Sequence, residues 1–239
     1  MCFFVPGLIA VPAAAHVDIL IGREGNSIVT GGYDFDALPG DPVIPSPVRV
    51  FGYDFGEIPG QPDVSQDPGC ISLPGVFVPG TVFTLRNLGT LEHWDGNGAV
   101  NFSAPPNGES LLMEKGAGSM TIGAPGGLLT LGVTPGAAFG QDLHEHVDAT
   151  QIGGPSVADG LYQVTPSVLG TDGLEESAPF WLVYNRGLDE ALHDEAIDWV
   201  IQNRVPEPGC VLMAAGGAVF LGRRRRKHAP APVRAMTGR

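Results

Sequence analysis

Cysteine is scarce in this chain, and its placement excludes a domain held together by disulfides. Of the three cysteines, Cys2 and Cys210 lie towards the two ends, and only Cys70 lies in the long middle region, residues 16–204. A single cysteine cannot form an intramolecular disulfide. A region of about 190 residues is nevertheless long enough to bury a core. We therefore expect burial to stabilise it, with Cys70 as a small buried residue.

Basic residues are also scarce in the middle region. The whole chain has a formal net charge of −13, but seven of its 13 lysines and arginines follow residue 222. Residues 16–205 contain 25 acidic and only six basic residues, which gives them a net charge of −19. Because such a body repels nucleic acid, we predict no nucleic-acid partner.

The motifs of several common catalytic sites are missing. The chain contains no G-x-S-x-G, no H-E-x-x-H, no P-loop and no G-x-G-x-x-G. We therefore predict a binding protein and not an enzyme. A carboxylate pair for glycoside hydrolysis and a copper redox site that uses a new N-terminus at His16 stay open as alternatives.

Glycine and proline, in contrast, are abundant and interrupt the chain at short intervals. With 35 glycines and 22 prolines, long helical bundles are excluded. Between these stops lie short apolar or alternating stretches, at residues 17–21, 27–30, 48–53, 81–88, 110–114, 128–133, 161–169 and 180–185. Short strands with frequent turns predict an all-β fold. We expect an antiparallel β-sandwich, immunoglobulin-like or jelly-roll-like, with a barrel as the alternative.

One segment has helical periodicity. In residues 188–203 an apolar side chain recurs at Leu188, Leu192, Ala196 and Val200, which predicts one α-helix at the end of the domain. Acidic residues occupy its first turn, and we expect them to solvate His193. Pro206 ends the segment.

An acidic motif occurs twice near the start of the middle region. Residues 32–42 and 52–62 both begin with Gly-Tyr-Asp-Phe, and together they contain Asp34, Asp36 and Asp54. Two copies are too few for a solenoid, and paired strands and turns explain them. A calcium site there is an alternative, although no EF-hand spacing is present.

Both ends of the chain have features of export. Residues 1–15 are mostly apolar and finish with Ala13-Ala14-Ala15, which predicts a signal peptide cleaved after Ala15. Near the other end, Pro206-Glu207-Pro208 precedes twelve uncharged residues, 210–221, and then a run of basic residues, Arg223, Arg224, Arg225, Arg226 and Lys227. The uncharged stretch is short for a membrane span, which needs about 20 residues.

This order of elements resembles the PEP-CTERM sorting signal of exported bacterial proteins. The resemblance implies that the domain at 16–204, for which the strand pattern predicts a β-rich fold, is extracytoplasmic. It also implies a sorting signal with a short transmembrane segment at 205–227, followed by a tail at 228–239. It further implies processing by an exosortase-type enzyme. The protein would be anchored in the inner membrane by its C-terminus and then released to the cell surface or the extracellular matrix, with exopolysaccharide as a possible partner.

Histidines with period-two spacing form the best candidate site. Residues 142–148 have the sequence Asp-Leu-His-Glu-His-Val-Asp, and alternate residues of a strand share a face. That spacing puts one set of side chains on one side: Asp142, His144, His146 and Asp148. His16 and Asp18 form a second His-x-Asp pair. We therefore predict a divalent metal site, with zinc as the first candidate. The nitrogen ligands would be His16, His144 and His146. Asp18, Asp142 or Asp148 would be an oxygen ligand or would orient the imidazoles. The alternative is a polar strand face without metal.

Four short motifs strengthen the zinc hypothesis. They are His16-Val-Asp18, His144-Glu-His146, Gly160-Leu-Tyr162 and Ser177-Ala-Pro-Phe180. In this order they resemble surface-anchored bacterial domains that begin with His-x-Asp and carry a central His-x-His, some of which are associated with zinc-responsive regulation. The resemblance implies zinc binding or a zinc-linked function at the surface. His93 is a further candidate ligand, and Trp94 a candidate sugar-stacking residue, but ordinary packing explains both.

Overall fold

The computed structural model describes residues 17–37, 42–123, 125–132, 143–152 and 157–206. The strands formed by these residues are β1 (Val17–Glu24), β2 (Ser27–Asp34), β3 (Val43–Ile44), β4 (Val50–Asp54), β5 (Val64–Ser65), β6 (Gly69–Ser72), β7 (Phe83–Asn87), β8 (Glu92–Trp94), β9 (Ser110–Lys115), β10 (Gly118–Ile122), β11 (Leu128–Thr130), β12 (Leu143–His146), β13 (Asp148–Ile152), β14 (Gly160–Val164), β15 (Pro166–Gly170) and β16 (Trp181–Arg186). One α-helix, α1 (Glu190–Asn203), follows them, and a short 3-10 turn, Phe35–Ala37, comes after β2. The described part is therefore mostly β-sheet with one helix, as predicted.

The strands form four sheets. Their orders are β12-β6-β1-β2-β3, β10-β9-β13-β5, β11-β7-β15 and β4-β16-β14-β8. Most neighbours are antiparallel, but β1 pairs with β6, and β16 with β4, in parallel. These two parallel pairs depart from the antiparallel pairing that the sequence predicted.

All four sheets contribute to one core. Ile19 comes from the first sheet, Met113 from the second, Leu85 from the third and Tyr184 from the fourth, and all four are almost fully buried in the same cluster. Cys70 is fully buried there too, as predicted. A smaller cluster of Leu20, Tyr33 and Ile71 covers the other face of the first sheet. Apolar burial on both faces fixes the register of β1 and β6, since a slip by one residue would exchange the two faces.

The helix packs closely on the fourth sheet. Ala196, Ile197 and Val200 of α1 are buried. Opposite them β4 has Gly52, where an added Cβ would lie 2.6 Å from Cδ1 of Ile197. The missing side chain therefore lets α1 approach β4, and this contact places His193 beside the end of that strand.

The described part of the chain has no helix that is both long and apolar enough to cross a bilayer. The predicted signal peptide, the uncharged stretch 210–221 and the tail 228–239 lie outside the described residues. So do Glu207, Pro208 and the basic run Arg223, Arg224, Arg225 and Arg226, whereas Pro206 is described and exposed.

Candidate metal centre

Three neighbouring strands of the first sheet position the site. The sheet order places β6 between β1 and β12. On β6, Gly69 pairs with His146 of β12, and the next residue, Cys70, pairs with Ile19 of β1. Asp18 and His146 therefore flank Gly69 on either side, two strand spacings apart, or about 9.6 Å. Side chains that meet across this distance must pass over the middle strand.

Gly69 provides the space for this meeting. A Cβ built on Gly69 would overlap the carboxylate of Asp18. The Asp18 side chain therefore occupies the volume that any other residue at position 69 would need. Because Gly69 has no side chain, the carboxylate of Asp18 on β1 can approach the imidazoles of β12 across β6.

The donor atoms converge within the range that one metal ion can bridge. Nε2 of His144 lies 3.2 Å from Nε2 of His146 and 3.6 Å from Oδ2 of Asp18. One ligand atom from each of these three residues lies within 4.8 Å of the other two. Bonds of about 2.0–2.1 Å in a tetrahedral zinc site separate the ligand atoms by about 3.3 Å. Two of the three separations are therefore close to those of a zinc site.

Hydrogen bonding sets the proton positions on the two rings. Nδ1 of His146 donates to the backbone carbonyl of Gln66 at 3.1 Å, so the neutral ring carries its lone pair on Nε2. Without an ion, His144 can donate from Nε2 to that lone pair. With an ion, His144 carries its proton on Nδ1, and both Nε2 atoms become ligands. A carbonyl that fixes the tautomer of a ligating histidine is common in metal sites.

Packing holds the first imidazole in place. The ring of Phe35 stacks on that of His144, with centroids 5.2 Å apart and planes inclined by 23°. Between the two histidines, Glu145 forms an ion pair with Lys115 of β9, so its charge is compensated away from the site. The period-two alternation predicted for this segment is therefore present, and it separates the imidazoles from Glu145.

Two buried carboxylates make the surroundings negative. Asp18 is 2% exposed and Asp67 is 5% exposed, and Oδ1 of Asp67 lies 3.9 Å from Nδ1 of His146. Burial, and then the charges of Asp18 and Asp67, raise the pKa of the Cys70 thiol. Burial and Asp67 likewise raise the pKa of Tyr53 well above its ordinary value. Buried carboxylates are stable where a positive charge or hydrogen bonds compensate them, and a cation beside the imidazoles would do so.

The electrostatic environment also favours a neutral His144. Burial, and next the neighbouring His146, lower the pKa of His144 below its ordinary value. The neutral ring is the form that binds a metal ion. At neutral pH this imidazole is therefore available as a ligand without having to lose a proton.

The structure brings three of the six predicted ligands together: Asp18, His144 and His146. His16 and Asp142 lie outside the described residues. Asp148 is exposed and begins β13 in another sheet, where it pairs with Glu114. It is not part of the group because the chain leaves the first sheet at the buried Val147, although the alternation continues through this point.

Two residues beside the site, Asp67 and Gly69, carry no signal in the sequence that points to it. Neither belongs to a histidine motif, and only the pairing of β6 between β1 and β12 brings them there. Two minor candidates have ordinary structural roles, as expected: His93 is 5% exposed and donates to the carbonyl of Asp159, and Trp94 is 3% exposed.

A second group of possible ligands lies elsewhere in the fold. His193 is only 2% exposed, so the expectation that it is solvated was wrong. The structure places it near Asp54 and Glu190, and Asp54 thereby separates from Asp34, which ends β2 in the first sheet. The side chain of Asp36 lies outside the described atoms.

No protein-family model, no curated protein and no solved structure matches this chain.

Proposed function

We propose that this chain is an exported cell-surface or extracellular-matrix protein whose β-rich body binds one divalent metal ion, zinc first, through Asp18, His144 and His146. One observation carries the proposal: donors from β1 and β12 converge over Gly69, where a side chain on β6 would block them. The protein acts by binding and not by catalysis.

The donor set supports zinc. Two imidazole nitrogens and one carboxylate oxygen are a usual set of three protein ligands, with a fourth position for water or another group. Calcium prefers an all-oxygen set of six to eight ligands, which two imidazoles do not provide. His16 precedes β1 by one residue and Asp142 precedes β12 by one residue, so each is a candidate for the fourth position.

The wider architecture belongs to the same proposal. A core shared by four sheets supports a β-sandwich, with the first sheet carrying the site on the face away from that core. The apolar start, the Pro206-Glu207-Pro208 triplet and the basic run Arg223 to Arg226 support export, a transient membrane anchor and processing by an exosortase-type enzyme. Exopolysaccharide is the proposed partner in the matrix.

Zinc titration of the full chain, followed by calorimetry, tests the site. The double variant His144→Ala/His146→Ala should lose this site, and Asp18→Asn should weaken it by at least about tenfold. Asp148→Asn is the matched control for the carboxylate and His228→Ala for an imidazole, and neither should change the affinity. Circular dichroism checks that each variant is folded.

Two outcomes would refute the metal site. One is a double variant whose zinc binding equals that of the wild type. The other is tighter binding of calcium than of zinc, because diffuse attraction to an acidic body accepts calcium readily whereas a site with two imidazoles does not. Either outcome would favour a structural matrix protein, in which His144 and His146 only form a hydrogen bond to each other.

A further inference from the structure

A buried histidine faces two carboxylates at the start of α1. Nδ1 of His193 lies 3.9 Å from Oδ1 of Asp54 and 3.8 Å from Oε2 of Glu190. The three residues come from the end of β4 and from the first turn of α1, and one ligand atom of each lies within 4.8 Å of the other two. Asp54 belongs to the fourth sheet, on which α1 packs, whereas Asp18, His144 and His146 belong to the first sheet.

The tautomer of His193 directs a lone pair at the carboxylates. Nε2 of His193 donates to the backbone carbonyl of Val183 at 3.0 Å, so the neutral ring has no proton on Nδ1. That nitrogen makes no hydrogen bond, and the side chain that carries it is only 2% exposed. A lone pair beside two carboxylates is repelled unless a proton or a cation lies between them. A backbone carbonyl that fixes the distal nitrogen is also the usual support of a ligating histidine.

The backbone around His193 brings the imidazole close to the carboxylate of Asp54. Val183 pairs with Gly52, and Asn185 pairs with Asp54, in the parallel ladder between β16 and β4. A Cβ on Gly52 would lie 3.1 Å from Cε1 and from Nε2 of His193. The glycine thus allows the imidazole to lie against β4, two residues before Asp54.

The charge of α1 favours a cation. Residues 188–203 contain five acidic residues and no lysine or arginine. The positive end of the helix dipole, about half a charge, opposes a cation at this end. The carboxylates of Asp54 and Glu190 alone exceed that opposing charge. Both are partly exposed, at 39% and 60% for their side chains, so they can move inward from 3.9 and 3.8 Å towards the separation of about 3.3 Å that the ligand atoms of a tetrahedral zinc site have.

We propose that Asp54, Glu190 and His193 form a second metal site, which takes a divalent transition-metal ion such as Zn²⁺ and ties the first turn of α1 to β4. The single imidazole disfavours calcium, and the two carboxylates make the site poorer in nitrogen than the one on the first sheet. Its role is structural, because the ion would link an element that closes the fourth sheet to the strand beneath it.

Zinc stoichiometry of the full chain separates the two sites. The wild type should bind two zinc ions, and Asp54→Asn/Glu190→Gln should bind one, because both changed residues are exposed enough to leave the fold intact. The variant His144→Ala/His146→Ala should keep the second site. The matched control, Asp194→Asn/Glu195→Gln, removes the same charge from exposed positions of the same helix and should still bind two ions.

Imidazole nitrogen NMR gives a direct readout. On addition of zinc, the Nδ1 resonance of His193 should shift while its Nε2 keeps its proton, and the shift should disappear in Asp54→Asn/Glu190→Gln. The proposal is overturned if that variant binds as many zinc ions as the wild type, or if the Asp194→Asn/Glu195→Gln control loses binding equally. It is also overturned if Nδ1 of His193 is protonated and unaffected by zinc. A wild type with one zinc, lost in His144→Ala/His146→Ala, would reject this site and retain the first one.

Discussion

At the scale of single residues, the site on the first sheet depends on a glycine. Asp18 would be too far from the imidazoles of β12 if a side chain stood on the strand between them. Because Gly69 has no side chain, the carboxylate of Asp18 can occupy the space above β6 that a side chain at position 69 would take. Because Asp18 is itself nearly fully buried, its position cannot be exchanged for a solvated one without opening the sheet.

The variant Gly69→Ala tests this relation. The added methyl group would displace the Asp18 carboxylate, so zinc should bind at least about tenfold more weakly. Overpacking should also lower the free energy of unfolding by about 1–3 kcal/mol. Calorimetry and thermal unfolding measure the two effects.

Gly123→Ala is the control for Gly69→Ala. An added Cβ there meets nothing nearer than 3.6 Å, so both quantities should stay close to wild type. Zinc affinity that is unchanged in Gly69→Ala would show that Asp18 is not a ligand.

The titration of His144 predicts how zinc binding depends on pH. Burial, and then His146, lower the pKa of His144, so this ring stays neutral below the ordinary histidine range. Acid nevertheless protonates the imidazoles eventually, and a protonated ring cannot bind zinc. The affinity should be nearly constant above about pH 7 and should fall as the pH drops below about 6.5. Affinity that does not fall on acidification at any pH at which the protein stays folded would exclude both histidines as ligands.

At the scale of elements, β16 is the central strand of the fourth sheet, between β4 and β14. Five of its six residues are buried. Trp181 is 7% exposed, and the preceding Phe180 is fully buried. From Trp181 to Asn185 the strand is buried on both faces, so a charge placed within this stretch cannot reach water.

Trp181→Asp should therefore destabilise the domain strongly. Burial of a carboxylate, together with the loss of the indole and of its contact with the Arg49 guanidinium, should lower the free energy of unfolding by at least about 3 kcal/mol. Circular dichroism during thermal unfolding measures this change. Val78→Asp, at a side chain that is 59% exposed, should change it by less than about 0.5 kcal/mol. A Trp181→Asp protein as stable as wild type would contradict the position of β16.

Local patterns predicted most of the elements. The apolar stretch at 180–185 corresponds to β16, and the periodic segment 188–203 corresponds to α1, which begins two residues later. The stretch 161–169 is two strands, β14 and β15, with a break at Thr165. The short strands β5 and β6 were missed because β5 has only two residues and all four residues of β6 are buried, so neither shows alternation.

Only the part of the candidate site that lies on one strand could be predicted from the sequence. The spacing of His144 and His146 fixes their common face, which one strand determines alone. The meeting with Asp18 depends on the parallel pairing of β1 with β6, about 50 residues apart, and this pairing depends on packing in the whole sheet. The role of Gly69 and the burial of Asp67 follow from that pairing and have no local signal.

At the scale of the whole molecule, the protein is strongly acidic, and cations at the groups around His144 and His193 would compensate part of its negative charge. The net charge of −19 in residues 16–205 attracts all divalent cations weakly. The two groups of candidate ligands, around His144 and around His193, each add imidazole nitrogen to carboxylate oxygen. That combination selects transition metals from the general cation atmosphere.

The proposed route of the protein predicts its mature form. The protein should leave the cytoplasm and lose its C-terminal segment near Pro206-Glu207-Pro208, because the segment behind this triplet resembles a processed anchor. Mass spectrometry of the envelope-associated or secreted protein measures the new terminus. Pro206→Ala/Pro208→Ala should remain unprocessed. A mature surface protein that ends at Arg239, or full-length protein confined to the cytosol, would contradict this route.

The proposed binding of one metal ion by Asp18, His144 and His146 over Gly69 can be seen by anomalous diffraction at the zinc edge, from crystals of the full chain grown with zinc. We expect a peak about 2.0–2.2 Å from an oxygen of Asp18 and from Nε2 of both histidines. A crystal with zinc present but no peak there, in which the two Nε2 atoms keep their direct contact at 3.2 Å, would contradict it.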